Sequence, residues 1–397
     1  MSVFPLLRRW LAIEIGAVKP VHRCWAEVDL DALRGNLAWI RQRAGAGVKV
    51  MTVVKADAYG HGLKQIAGLL MQSGTDVFGV ANLIEARAIR SVGAGWPVLM
   101  LGACLPEEVE QAVKDQVMVT VSSLAEAEAF SSAARKFKLV ARLHLKVDTG
   151  MGRLGCPPEQ AEQLLAAIDS LPQVETAGLY THFSSVEDEF HYTQRQRTLF
   201  GKLLKSLAAK GRNFEYLHAN NSAAMLLEEA GPYNTVRPGL LVYGVLPFGR
   251  RRIEIPNRDL IQPVLSLKCR ISLIKDVPKG SRLSYGGLYT TTRTTRVATI
   301  SAGYGDGYLR ASSERANVLI GGERCQVLGR ITMDQMLVDV TKLESVSHGD
   351  EVVLIGRQGS QELTATEVAQ WAETVPWEVL TAITYRVPRV YLGAQAS

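Results

Sequence analysis

A run of apolar and β-branched residues, Val50-Met51-Thr52-Val53-Val54, stops at Lys55. Such runs read as strands of a parallel sheet buried on both faces, so this lysine sits where a strand leaves the core. An amine held there is partly desolvated; its pKa falls and it becomes a nucleophile of the kind that forms Schiff bases. Tyr59, Gly60 and Gly62 follow, and they would bring a hydroxyl and bare backbone toward an anion at a helix start. Taken alone, the same lysine reads equally well as one that snorkels to solvent from a strand end.

The elements that must position it recur along the chain. Strand-like runs lie at 50–54, 77–81, 98–101, 117–121, 139–147, 177–183, 214–218 and 235–236, separated by helical patterns at 63–72, 83–92, 106–114, 124–137, 159–168, 192–210 and 222–228. Before them, 25–30 alternates like a half-buried strand, and Asp29 or Asp31 can cap the helix that follows. Eight strands alternating with helices give a (β/α)8 barrel. A doubly wound sheet shares the rhythm, but no GxGxxG follows a strand. After about Pro256 the pattern becomes short β runs at 264–274, 295–300, 317–320, 324–327, 336–340 and 351–355, then a helix at 365–373 and a strand at 387–392. This is a smaller, mainly antiparallel β domain. The expected division is an extension at 1–23, a barrel at 24–255 whose residues 24–30 can pair with the β domain, and the β domain at 256–397.

A barrel of this type carries its active site at the C-terminal strand ends. Besides Lys55, those ends hold Lys146 to Arg153, His182, the segment His218 to Ala224, and Arg237-Pro238-Gly239. Each has a bland explanation: a core histidine, surface arginines, Asn221-Ser222 as a helix cap. Their joint placement on one rim points to a pocket. Gly239, the amides near Ser222 and the hydroxyls of Ser222 and Tyr59 would make a neutral phosphate cup. Metal binding is disfavoured, because His182 and His218 lack a carboxylate on their own strands. A Schiff-base lysine beside a phosphate cup indicates pyridoxal 5'-phosphate (PLP).

Composition narrows the class. The chain has 397 residues, of which 47% are hydrophobic and 21% charged, enough for two domains. The formal charge of +6 comes from scattered Lys and Arg with no basic helix or zinc spacing, which argues against nucleic acid. No apolar run is long enough to span a bilayer. The five cysteines form no CxxC and no framework of pairs, which fits a reducing cytoplasm. Residues 1–23 make a poor signal peptide, with Glu14 interrupting a short apolar stretch.

In combination these motifs resemble the alanine racemase family. The matching pieces are 54–62 around Lys55, 146–153, 180–183, 221–224, 236–239, 284–287, 303–308, 329–335 and 385–389, which cover nearly the whole chain after Trp25. The resemblance implies a PLP-dependent isomerase acting on a small amino acid, a head-to-tail homodimer with shared sites, and supply of D-alanine for peptidoglycan. It implies that Lys55 holds PLP and acts as one base, while Tyr304 reaches in from the other subunit as the second. Arg237 would bond the pyridine nitrogen and Arg153 the phenolic oxygen. Tyr59, Ser222, Gly239, Leu240 and Tyr385 would contact the phosphate beside Asn221, and His182 would link Arg237 to Tyr304. Met333, with Arg153, would receive the substrate carboxylate, and Lys146 matches a lysine often carbamylated. The departures are Thr332 where Cys is common, Asp57 where Asn is common, and the unmatched residues 1–23.

The alternatives are a racemase of serine, lysine or broader specificity on the same scaffold, a barrel-only PLP-binding protein, and a PLP decarboxylase. The second domain with Gly303–Tyr308 argues against the barrel-only protein. Cys325 lies outside the motif of the decarboxylase acid and reads as a strand residue.

Overall fold

The computed structural model describes residues 22–227, 231–248, 255 and 257–393. Residue 228 of the last helical pattern, most of the 1–23 extension and most of the junction at 249–256 therefore lie outside the described residues.

The chain enters through β1 (Cys24–Asp29) and turns into α1 (Leu30–Ala44). Asp29 makes the turn: its carboxylate accepts from the amides of Asp31 and Ala32, satisfying donors that every helix start leaves free. Eight parallel strands follow: β2 (Lys49–Val53), β3 (Val77–Val80), β4 (Val98–Ala103), β5 (Met118–Val121), β6 (Ala141–Lys146), β7 (Val174–Tyr180), β8 (Tyr216–Asn221) and β9 (Thr235–Arg237). Each pairs with its successor, and β2 pairs with β9 to close the barrel. The crossovers are α2 (Leu63–Ser73), α3 (Leu83–Val92), α4 (Val109–Lys114), α5 (Leu124–Phe137), α6 (Ala161–Asp169), α7 (Phe190–Ala209) and α8 (Ser222–Leu227). Two of these starts are capped by side chains: at α3 Asn82 accepts from the Glu85 amide, and at α5 Ser123 and Glu126 cap each other's backbone.

The barrel interior is layered. Met51, Val77, Leu99, Met118, Ala177 and Tyr216 form a closed apolar plug. Side chains alternate along a strand, so two residues further on the same face points inward again. From Met118 and Tyr216 that step gives Thr120 and His218, and with His144 and Tyr180 they form a polar layer beneath the site. The larger core lies between strands and helices.

The second domain is a sheet in which β1 lies between the long strand Leu265–Val277, antiparallel to it, and Arg389–Leu392, parallel to it. Leu265–Val277 shifts register between Ile271 and Leu273, which lets it pair with Glu351–Gln358 at one end and Thr295–Ile300 at the other. Strands Asn317–Ile320, Glu323–Gln326 and Met336–Asp339 extend the two wings. The helix expected at 365–373 spans Ala365–Trp371, and a further helix, Pro376–Thr381, falls in a stretch too short to show a helical pattern of its own. Asn36 of α1 joins the halves: its amide donates to the Val242 and Gln262 carbonyls and accepts from the Gln262 amide.

Candidate active site

β2 ends at Val53, and the segment after Lys55 is no ordinary helix start. Ala56, Asp57, Ala58 and Tyr59 all have φ between 52° and 54°, one turn of left-handed helix. The amphipathic helix α2 begins at Leu63, where the helical pattern of the sequence also begins. Each L-residue in this conformation costs about 1–2 kcal/mol, so the turn exists because its surroundings hold it. The Glu85 carboxylate of α3 accepts from the amides of Ala56 and Ala81, Asp57 accepts from the Leu63 amide, and Gly60 abuts the Leu380 carbonyl so closely that no side chain fits.

Lys55 emerges from this turn into a cavity of about 460 Å³. Burial and the nearby Arg153 charge lower its pKa, with Glu85 partly opposing. The same cavity is lined by Tyr59, Lys146, Arg153, His182, Asn221, Ser222, Arg237, Gly239 and Leu240, so ten of the rim residues singled out from the sequence meet there. It is also lined by Trp377, which the sequence analysis did not single out. Its only prior signal is Pro376, a residue suited to the first turn of a helix. A hollow of about 870 Å³ lies elsewhere, between Tyr243, Gln262 and the second domain. No described lysine lines it, and the chemistry belongs to the smaller cavity.

Arg237 is the anchor of the floor. It is 4% exposed, and its guanidinium donates to the carbonyls of Thr181 and Ala219 at 2.9 and 3.0 Å, to His218 Nδ1 at 2.6 Å and to His182 Nδ1 at 3.2 Å. Burial pulls its pKa down to about 10, which leaves it a cation at neutral pH and therefore only a donor. Because His218 Nδ1 accepts from Arg237, its hydrogen sits on Nε2, which lies 3.0 Å from His144 Nδ1. Burial holds both His182 and His218 well below the usual histidine range, and His144 down to about 3, so all three rings are neutral. Tyr180 stacks on His218 and hydrogen-bonds Thr120, fixing the ring from above. Lys146 is nearly fully buried; burial, Arg153 and Arg237 lower its pKa to about 8, with Asp148 partly opposing. Asp148 itself accepts from the amides of Gly150, Met151 and Gly152, which folds the loop carrying Arg153 over the rim.

At the other end the wall is neutral. Ser222 Oγ accepts from the amides of Gly239 and Leu241, and Asn221 caps α8 through the Ala224 amide. A Cβ on Gly239 would lie 2.5 Å from the Tyr59 hydroxyl. Only glycine permits this approach of backbone, phenol and serine, a cradle suited to a phosphate. A cofactor with a phosphate at one end and an electron-poor ring at the other fits a cavity with this cradle opposite Arg237 and Lys55. Among the described residues no group of three or more His, Cys, Asp and Glu could hold a metal.

Three residues are not in this cavity. Tyr304, Met333 and Tyr385 lie on the second domain and are 40%, 52% and 99% exposed. They are nevertheless stitched into one surface. The amides of Tyr304 and Gly305 donate to the Thr332 and Met333 carbonyls, Thr384 Oγ1 donates to the Gly305 carbonyl, and Arg386 pairs with both Asp306 and Asp334.

The alanine racemase N-terminal domain family matches residues 28–247, and the alanine racemase C-terminal domain family matches 264–391. The chain is 40% identical to the alanine racemase of Halothermothrix orenii over 92% of this chain and 96% of that one. Among solved structures it is similar to alanine racemase from Clostridium difficile 630, with a TM-score of 0.86 and 35% identity over 94% of this chain and 97% of that one. It is also similar to the Bacillus anthracis alanine racemase with bound L-Ala-P, with a TM-score of 0.86 and 34% identity over 94% and 96%.

Proposed function

The chain belongs to the alanine racemase family of PLP-dependent isomerases, and from that premise we propose that its cavity interconverts L- and D-alanine with Lys55 and Tyr304 as paired acid–base groups. The observation that carries the proposal is the placement of the Lys55 amine in a cavity that also holds Arg237, Arg153 and the Gly239 cradle. When bound, PLP draws electrons from the amino-acid Cα and so makes its proton removable.

Racemisation needs an acceptor on one face of Cα and a donor on the other. Lys55 Nζ serves one face. The partner subunit's Tyr304 Oη serves the other, since Tyr304 does not line its own barrel's cavity. Support for a homodimer with shared sites comes from the exposed surface of Tyr304, Met333 and Tyr385, large apolar and aromatic side chains held by a fixed hydrogen-bond frame. The Met333 amide and Arg153 would then receive the substrate carboxylate. Tyr385 would close the cradle formed by Tyr59, Ser222, Gly239 and Leu240.

Arg237 would hold the cofactor's ring nitrogen by donating to it and, as a guanidinium, would not protonate it, which would moderate electron withdrawal and limit side reactions. His182, which accepts from Arg237 at Nδ1, would link Arg237 toward the second base. Lys146, with its amine brought near neutrality, would add CO2 and release a proton, placing an anionic carbamate beside the Arg153 and Arg237 guanidiniums.

We also take residues 24–255 as the barrel half, with β1 lent to the sheet of the second domain, and 256–397 as that domain. Five unpaired cysteines, and no described helix long and apolar enough to cross a membrane, support a cytoplasmic enzyme supplying D-alanine for peptidoglycan. The test is to incubate the purified protein and PLP with a panel of L-amino acids and resolve the products by chirality. D-alanine should dominate. Comparable D-serine or D-lysine would replace the substrate, and no D-product with PLP bound would remove the assignment.

A further inference from the structure

Behind the lysine turn lies a histidine that no step above uses. His61 is fully buried, and its Nδ1 lies 3.0 Å from the Ala58 carbonyl and 2.9 Å from the Tyr59 carbonyl. Carbonyl oxygens only accept, so the hydrogen is on Nδ1 and Nε2 is bare; among the described residues Nε2 has no partner. Burial pulls the ring's pKa down to about 4, so it is neutral in any working buffer. The ring packs on Tyr243 with centroids 4.5 Å apart. Tyr243 stacks in turn on Tyr59 at 4.9 Å and donates its hydroxyl to the Val53 carbonyl. The second domain grips the same segment from outside: Tyr391 donates to the His61 carbonyl at 3.1 Å and Arg389 to the Gly60 carbonyl at 3.0 Å.

We propose that His61 is a positioning residue whose single Nδ1–H, shared by the Ala58 and Tyr59 carbonyls, keeps the left-handed turn wound so that Lys55 and the Tyr59 hydroxyl stay in register with the Gly239 cradle. Relaxing Ala56–Tyr59 to right-handed dihedrals redirects both carbonyls and strands a buried donor, so these hydrogen bonds favour the strained path over the intrinsically preferred one. The aromatic column His61–Tyr243–Tyr59 then transmits the position of the ring to the phenol at the cradle. This rests on the reading of Lys55 and Tyr59 as cofactor-holding residues.

The test uses the full chain, freed of PLP and titrated with PLP, with the visible absorbance of the lysine-bound cofactor as readout. His61→Asn keeps a donor where Nδ1 lies, His61→Gln carries it one carbon further, and His61→Leu removes it. We expect His61→Asn to bind within about threefold of wild type, and His61→Gln and His61→Leu about tenfold or more weaker, in line with the loss of a buried hydrogen bond. Melting temperatures of PLP-free His61→Asn and His61→Gln should agree, which separates positioning from a general loss of fold. Equal affinities for the Asn and Gln variants, or wild-type affinity in all three, overturn the proposal. If His61→Leu does not fold, the Asn and Gln pair still decides. Nitrogen NMR of wild-type protein labelled at histidine adds an independent check, since an Nε2–H tautomer at His61 also overturns it. The underlying reading fails separately: a wild-type chromophore in Lys55→Ala sinks it whatever the His61 variants do.

Discussion

Lys146 offers a sharp electrostatic test. Its amine is nearly fully buried, and burial with Arg153 and Arg237 lowers its pKa from 10.5 to about 8. An unfolded chain restores the ordinary value. Between about pH 8 and 10.5 the unfolded state therefore binds more protons than the folded one, and stability from this group rises with pH across that window. Below pH 8 the folded protein bears the full cost of the buried ammonium. At 1.36 kcal/mol per tenfold change in acidity that cost is about 3 kcal/mol, and about 1–3 kcal/mol once water reaching the open cavity is allowed for. Lys146→Met keeps the chain length and removes the charge. In CO2-free buffer at pH 7 its free energy of urea unfolding should exceed that of wild type by about 1–3 kcal/mol, and the difference should vanish by about pH 10.5. Adding bicarbonate near pH 8, where half the amine is neutral, should stabilise wild type and leave the variant unchanged, because carbamate formation replaces a positive charge beside two arginines with a negative one. Parallel pH profiles for the two proteins in CO2-free buffer would refute the reasoning.

Three other outcomes follow from the geometry. Gly239→Ala puts a methyl 2.5 Å from the Tyr59 hydroxyl, and Tyr59 is held by its stacking on Tyr243; PLP affinity should fall about tenfold or more in an absorbance titration, and an unchanged affinity would contradict the cradle. Asn36→Leu deletes three hydrogen bonds joining α1 to Val242 and Gln262, leaves buried groups unpaired, and should cost about 2–4 kcal/mol in urea unfolding. Lys55→Ala and Tyr304→Phe should each lose racemisation in at least one direction, and mixing the two should recover part of it, because each heterodimer then has one site with both bases intact. No recovery from demonstrated heterodimers would refute shared sites.

What the sequence reveals about this protein depends on how far apart the controlling contacts lie. The eight barrel strands all fall on the apolar runs, since burial on both faces leaves a local signature that no partner need be known to read. The rim follows by geometry: once the strand ends are placed, ten candidate residues meet in one cavity. The polar floor is less legible, because His144 and His218 look like any core histidines until Arg237 is seen to fix their tautomers across 19 to 74 residues. Trp377 reaches the cavity from a helix too short to leave a periodic pattern. The lysine turn is least legible of all. Nothing in Ala56-Asp57-Ala58-Tyr59 prefers left-handed dihedrals strongly enough to hold four in succession, and both alanines oppose them. The restraint comes from Glu85, 29 residues on from Ala56, from Leu380, and from Arg389 and Tyr391, some 330 residues beyond the glycine and histidine they grip. Local propensity is outvoted there by contacts from one barrel helix and from two elements of the second domain. That is the expected place for a local rule to fail, because strain in the turn that follows the lysine persists only where the surroundings over-determine it, and such strain gathers at functional sites.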